Sequence, residues 1–232
     1  MVLPLNLAMT SSEIAGVSAV PEDFAWMACH FSPHGQGLTN VPDHLSKGAL
    51  LILNDSIPCE GHNVQLITET LLETVAKFRC CGLLLDFQRP YVRTAAAVAE
   101  SLVQALPCPV AAPPEYTSAL PCPVFLPPAP LHIRLEDYLR PWQGREIWLE
   151  AALCRERITV TKDGASFSSA FDELPSAGSF YNSKLRCRYR IAVSSDAITF
   201  TLFDTQDTLR EKLELGAALG VTRAVGLYQE LG

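Results

Sequence analysis

The chain has no Cys-x-x-Cys pair and no histidine–cysteine cluster at zinc spacing, so its sequence offers no structural metal site. It has no run of about 18 uninterrupted apolar residues, which excludes a helical membrane span. No Lys or Arg precedes the apolar N-terminal stretch "MVLPLNLAM", so no secretory signal is read there. Long runs of like charge are missing, and with them the mark of a disordered tail. The Gly-x-Gly at Gly35 and Gly37 is too short for a nucleotide fingerprint. Basic residues are in the minority, 18 against 25 acidic, for a formal net charge of -7. That balance argues against a nucleic-acid partner.

What is present is apolar bulk: 232 residues, 48% of them hydrophobic, enough for a sizeable core. The eight cysteines (Cys29, Cys59, Cys80, Cys81, Cys108, Cys122, Cys154, Cys187) sit in or beside apolar runs and read as buried free thiols. Eight short apolar runs recur, each ending in a polar or proline-rich tip: "VLPLNLAM", "FAWMACHFSPHG", "GALLILNDSIP", "CGLLLDFQRP", "CPVAAPPEY", "CPVFLPPAP", "REIWLEAAL" and "VTRAVGLYQELG". Continuous rather than alternating apolar character suits strands covered on both faces, as in parallel sheets.

Between several runs lie helices. "NVQLITETLLETVAKFRC" places Val64, Ile67, Leu71, Leu72 and Val75 at helical spacing behind Asn63 as N-cap. "RTAAAVAESLVQAL" follows Pro90, and "TLREKLELGAALG" ends with Gly220 at the cap. Strand–helix alternation with eight strands predicts an α/β fold, a (β/α)8 TIM-type barrel, in one domain spanning 1–232.

Two segments depart from an ideal barrel. "ALPCPVAAPP" (Ala105 to Pro114) repeats as "ALPCPVFLPP" (Ala119 to Pro128). The residues between them are too few for an ordinary crossover helix, so a single helical turn or an extended link is expected and the barrel is partly degenerate there. An unclosed barrel would expose a parallel edge for another subunit to cover, which leaves an oligomer open. From Arg157 to Phe203, "RITVTKDGASF", "CRYRIAV" and "AITFTLF" alternate and are β-branched or aromatic. They predict an antiparallel β or α+β insertion, residues 157–203, before the last strand.

The order of these motifs resembles the family-18 glycoside hydrolases, the chitinase-like barrels. Their fourth strand carries D-G-x-D-x-D-x-E, and "CGLLLDFQ" lies on it without gaps: Gly82 on the glycine, Leu84 on the middle aspartate, Asp86 on the last aspartate, Gln88 on the catalytic glutamate. The family's D-x-x-S-L-x-x-K is similar to Asp204 (or Asp207), Thr208, Leu209 and Lys212, followed by Leu219 and Gly220, with Tyr228 in a tryptophan position. Such barrels also insert a small α+β module before strand eight. The resemblance implies a site in which the substrate's own N-acetyl oxygen is the nucleophile and a glutamate is the general acid. Gln88 has no titratable proton and cannot fill that role, so the implied site is catalytically silent unless another acid has moved in.

The candidates to replace it are Glu115, Glu150 and Glu230, all expected on the C-terminal rim where barrels place their chemistry. Asp86, an acid at the end of an apolar strand, needs a partner, and Arg89 is a candidate. Further ligand-binding candidates are Asn54, Asp55, His30 and Tyr228, with His34, Glu60, His62, Trp26, Trp142 and Trp148 as weaker members of the same rim-or-core question. Three functions follow: a pseudoenzyme binding a glycan or small polar ligand, a glycoside hydrolase on N-acetylated glycans with a relocated acid, or an unrelated barrel enzyme using Asp86 with His30 or Glu150. None calls for a cofactor, and the expected setting is cytoplasmic or spore-associated.

Overall fold

The computed structural model describes residues 3–33, 35, 37–169 and 178–232. In chain order its elements are β1 (Leu5–Met9), α1 (Ser11–Gly16), β2 (Phe24–Phe31), β3 (Leu38–Thr39), β4 (Leu50–Asn54), α2 (Val64–Phe78), β5 (Gly82–Asp86), α3 (Arg93–Ala105), β6 (Val110–Ala111), α4 (Pro114–Thr117) and β7 (Val124–Leu126). There follow α5 (Leu135–Leu139), a 3-10 turn Arg140–Trp142, β8 (Ile147–Ala151), β9 (Arg155–Thr161), β10 (Gly164–Ser169), β11 (Phe180–Asn182), β12 (Cys187–Val193), β13 (Ala197–Phe203), α6 (Gln206–Ala218), β14 (Val221–Leu227) and α7 (Tyr228–Leu231).

Eight parallel strands run β6-β5-β4-β2-β1-β14-β8-β7. The ring closes through one parallel bridge, Ala112 to Val124. Two backbone bonds make that seam: Ala112 N–H to the Pro123 carbonyl at 3.2 Å, and Phe125 N–H to the Ala112 carbonyl at 2.8 Å. The fold is thus a (β/α)8 barrel, and the open edge left possible by the sequence is absent. Each CPV repeat supplies one strand of the seam. The link between them is the single turn α4, held by Arg145, whose guanidinium donates to the carbonyls of Thr117 (3.0 Å), Leu120 (3.2 Å) and Cys122 (2.9 Å). One charged fork satisfies carbonyls that a full helix would otherwise have paired.

The apolar runs are continuous because both faces are covered. Leu83 and Leu85 of β5 face outward onto Ile67, Leu71, Val98 and Leu102 of α2 and α3. Leu84 faces inward with Leu50, Ile52, Ala111, Phe125, Trp148 and Val225. Period-2 geometry therefore sends Gly82, Leu84 and Asp86 to one side, the barrel interior. Gly82 is required by packing: a Cβ there would stand 2.8 Å from Cη2 of Trp148. Gly82→Ala should destabilise by about 1–3 kcal/mol, the usual cost of an extra methyl in a filled core, read as a lower denaturant midpoint.

α2 starts on Asn63, which accepts from Leu66 N–H at 3.2 Å. At the end of α6 the cap residue is Leu219, and Gly220 is the next residue out, at φ 99°. The glycine is thus one position beyond the expected cap, where the left-handed backbone favours it. α1 has a capping box, Thr10 with Glu13, that the sequence reading missed. The antiparallel segment forms a five-stranded sheet, β10-β9-β13-β12-β11, beginning at Arg155 rather than Arg157.

The sheet returns to the barrel through a buried ion pair. Lys212 Nζ donates to both oxygens of Asp204, at 2.7 and 2.9 Å, and Thr208 Oγ1 donates to the same carboxylate at 3.0 Å. Burial pushes the Asp204 carboxyl up, and Lys212 and Thr208 offset part of that. Asp207, the alternative in the motif, is exposed and pairs with Arg210 instead. All eight cysteines are free. Among the described residues, no helix is long and apolar enough to cross a membrane, and no cluster could hold a metal ion.

Candidate functional site

The tip of β5 is built on Asp55. Its buried carboxylate accepts the backbone N–H of Gln88 and of Arg89, each at 2.9 Å. Arg89 in turn donates from Nε to the Asp55 carbonyl and from Nη2 to the Ser56 carbonyl, both at 2.7 Å. Arg89 is therefore not the ion partner of Asp86, as the sequence suggested, because the β4 tip occupies its guanidinium. Held this way, Gln88 turns its amide back and donates from Nε2 to both oxygens of Asp86, at 3.1 and 3.3 Å. Asp55 acts as a positioning residue for this pair.

Asp86 and Gln88 stand between two hollows of about 500 Å³ each. One is walled by Phe87, Pro113, Pro114, Glu115, Phe125, Pro127 and Glu150. The other is walled by Met27, Asn54, Asp55, Ser56 and Arg89. Together they form a two-lobed cleft over the C-terminal ends of the barrel strands, with the Asp86–Gln88 pair as its ridge. Glu150, two residues after the inward-facing Trp148 on β8, reaches the first lobe. Burial raises the Asp86 carboxyl, with Asp55 adding to the rise and the Gln88 amide opposing it. Burial likewise raises Glu150, and the negative charges of Asp86 and Glu230 push it further. Among the described residues no hydrogen bond to the Glu150 carboxyl is found, whereas the Glu230 carboxyl accepts from Leu153 N–H. The cleft thus holds two carboxyls that burial pushes up, and the charge of Asp86 adds to the rise of Glu150.

These two groups weaken the fold above their ordinary range. In the native state each holds its proton to a higher pH than when unfolded. Stability is fully present below the unfolded value, near 4.5 for Glu150, and falls as pH rises through the folded one. Glu150→Gln should therefore raise the thermal midpoint at pH 7 and leave it nearly unchanged at pH 3, checked by calorimetry at both.

The other candidates are placed as follows. Asn54 donates to the Met27 and Cys29 carbonyls, at 3.0 and 3.1 Å, and accepts from Ser56 N–H, so its amide serves the irregularity in β2 while its residue lines the second lobe. His30 accepts at Nε2 from Asn40 Nδ2 (3.2 Å) and has Nδ1 3.0 Å from the Phe31 carbonyl. Tyr228 begins α7 and packs on Met9, Phe24 and Ala49, away from both lobes. Glu115 lines the first lobe from α4. His62 contacts the Ser32 carbonyl at 2.9 Å and meets Phe31 edge-on. Glu60 is exposed. Trp148 fills the barrel floor under Arg223, Trp142 packs beside α5, and Trp26 donates to the Asn40 carbonyl at 3.1 Å. His34 lies outside the described residues. The walls Phe125, Pro113 and Pro127 were missed by the sequence reading, although Phe125 is the first residue after the second CPV and the two prolines are the third after each.

No family model and no curated relative matches the chain. Solved structures do. A family-18 N-acetylglucosaminidase from Paenibacillus barengoltzii aligns with a TM-score of 0.58 at 10% identity, over 98% of this chain and 95% of that one. The spore cortex-lytic enzyme SleL of Bacillus cereus gives 0.55 at 11%, over 97% of this chain and 70% of SleL. A glutamate-to-glutamine mutant of the class V chitinase from Nicotiana tobaccum, in complex with NAG4, gives 0.57 at 10%, over 97% and 93%. At such identities the likeness shows the fold alone: the chain has the (β/α)8 barrel fold of these chitinase-like structures.

Proposed function

We propose that the protein is a chitinase-like pseudoenzyme that binds an N-acetylated glycan across the two-lobed cleft. One observation carries this: Gln88, at the general-acid position of the motif, is held as an amide donor to Asp86. An amide there can orient a polar ligand but cannot protonate a leaving oxygen. The fold's capacity for a glycan is supported by the class V chitinase solved in complex with NAG4, itself carrying a glutamate-to-glutamine replacement. The apolar wall of Phe125 and Phe87 beside carboxylates and amides suits a sugar ring with its alternating polar edge.

Titration calorimetry with N-acetylglucosamine oligomers tests the reading. The native protein should bind, and Asp86→Ala should weaken binding by about 10-fold or more, the loss of one or two hydrogen bonds to a charged group. Failure of the native chain to bind any oligomer would overturn it.

A second reading is favoured by Glu150 alone. A half-buried, unpaired carboxyl with a raised pKa, open to a cleft, is what a relocated general acid requires. In that case the protein is a hydrolase of N-acetylated glycans.

A further inference from the structure

Three of the eight cysteines gather at the N-terminal end of the barrel, opposite the cleft. Cys81 stands directly before β5, with Cys80 behind it, and Cys108 stands before Pro109 at the foot of β6. The two strands are neighbours in parallel register, Leu83 opposite Val110 and Leu84 opposite Ala111. Their contact continues below the paired residues. Leu83 N–H donates to the Pro109 carbonyl at 2.9 Å, and a Cβ on Gly82 would lie 3.3 Å from the same oxygen. Gly82 follows Cys81, and Pro109 follows Cys108. Neighbouring parallel strands lie about 4.8 Å apart, inside the Cα spacing of about 4.4–6.8 Å that a disulfide spans.

The three thiols are not equivalent. Cys80 is buried, whereas Cys81 and Cys108 are half-buried. Arg223, on β14, donates from Nη1 to Cys81 Sγ at 3.2 Å and to Asn6 Oδ1 at 2.7 Å. Its guanidinium lies 4.8 Å from the centroid of the Trp148 ring, and among the described residues it has no carboxylate partner. A cation that donates to a sulfur favours the thiolate, which is the form that reacts. Burial pushes Cys80 up to about 12 and Cys108 up to about 11, and neighbouring thiolate charge adds to both. Cys81 is one source of that charge in each case, so the sulfurs feel one another.

We propose that Cys81 and Cys108 form a peroxide-responsive thiol pair, with Cys81 as the attacking thiolate, Arg223 as its positioning residue and Cys108 as the resolving thiol. The Cys81 thiolate attacks one oxygen of hydrogen peroxide and the O–O bond breaks. The departing hydroxide takes the proton that the thiol gave up and leaves as water, and Cys81 becomes a sulfenic acid. Cys108 then attacks that sulfur. An S–S bond forms, the S–O bond breaks, and hydroxide leaves with the Cys108 proton as a second water. The peroxide gains two electrons, one from each sulfur. Formation of the sulfenic acid also removes the Cys81 charge, one of the two causes that hold the Cys108 thiol up. The resolving thiol is thus easier to ionise once its partner is oxidised. The bridge ties the foot of β6 to β5, and the other neighbour of β6 is only the two-bond seam.

Treatment of the full chain with a small excess of hydrogen peroxide, read by intact mass and by thiol counting after unfolding, tests the proposal. The native protein should lose the mass of two hydrogens and two of its eight free thiols, and regain both with dithiothreitol. Cys80→Ser should still form the bridge, and Cys81→Ser should not. Cys108→Ser should instead hold a sulfenic acid at Cys81 that dimedone captures. Arg223→Gln should slow alkylation of Cys81 by iodoacetamide at neutral pH by about 10-fold, the equivalent of one pKa step, and move its pH profile upward. A native chain that keeps all eight thiols, or a bridge that still forms in Cys81→Ser, would overturn the proposal. An alkylation rate unchanged in Arg223→Gln would overturn the part given to Arg223. The thiol count of the native chain decides even if a variant misfolds.

Discussion

Lys212→Met will cost about 3–5 kcal/mol of stability in denaturant unfolding at pH 7, because it strands the Asp204 carboxylate in a site where that residue is only 7% exposed and its partner 9%. Two strong charge-assisted bonds at 2.7 and 2.9 Å disappear, and the one remaining side-chain donor, Thr208 Oγ1, offsets only part of the desolvation. The loss is not a measure of what the pair contributes. Taking both charges out together, with Asp204→Leu and Lys212→Met, should recover most of it, since packed apolar groups often equal a buried ion pair. A double-mutant cycle then reads the coupling directly. The pair also fixes geometry: Asp204 N–H donates to the Cys154 carbonyl at 2.9 Å, so the strand leaving the sheet and the strand entering it are clamped at one point. An unaltered midpoint in Lys212→Met would mean that the ammonium does not reach the carboxylate.

The second large effect is chemical. Incubated with N-acetylglucosamine oligomers, the native protein should leave them intact, and Gln88→Glu should cleave them, with products read by mass spectrometry. The glutamate would replace the amide that now lies 3.1 and 3.3 Å from Asp86. Two carboxyls at that distance cannot both ionise, so one keeps its proton toward neutral pH, as a general acid must. The gain expected from restoring the proton donor is about 10² to 10⁴ over the native rate. Cleavage by the native chain, abolished in Glu150→Gln, would instead establish Glu150 as the acid and end the pseudoenzyme reading. Glycan binding without cleavage by either form would place the defect elsewhere, at Leu84, which occupies barrel core where the family motif has an aspartate.

The barrel was legible because each of its eight strands is an apolar run with a polar tip, a signal that depends on burial on both faces. The inward alternation of Gly82, Leu84 and Asp86 was readable for the same reason. Partnerships were not. Arg89 lies three residues from Asp86 yet serves Asp55, a residue distant in sequence, and nothing local announces that preference. Glu150 was legible as a rim acid, but the lobe it lines with Pro113, Phe125 and Pro127 comes together only when the ring closes. Asn54 and His30 look like ligand groups in sequence because polar residues at a strand end serve backbone irregularities and substrates equally well. The five-stranded sheet was half legible: the alternation was visible, but its contact with the barrel depends on Leu131 and His132, supplied by a different loop.

The seam between β6 and β7 gives the cleft a property that its walls alone do not. A cylinder of strands normally shares its closure among many ladder bonds, whereas this one rests on two, both made by Ala112. Each contributes only about 0.5–1.5 kcal/mol net. Local opening should therefore be easier at this seam than elsewhere in the ring, read as faster amide exchange at Ala112 and Phe125 than in the other barrel strands. Pro113 and Glu115 stand on one side of that seam, and Phe125 and Pro127 on the other. Opening there would change the width of the first lobe. A stiff ring lodged between Pro113 and Phe125 would bind the closed form in preference and so act as the missing part of the wall.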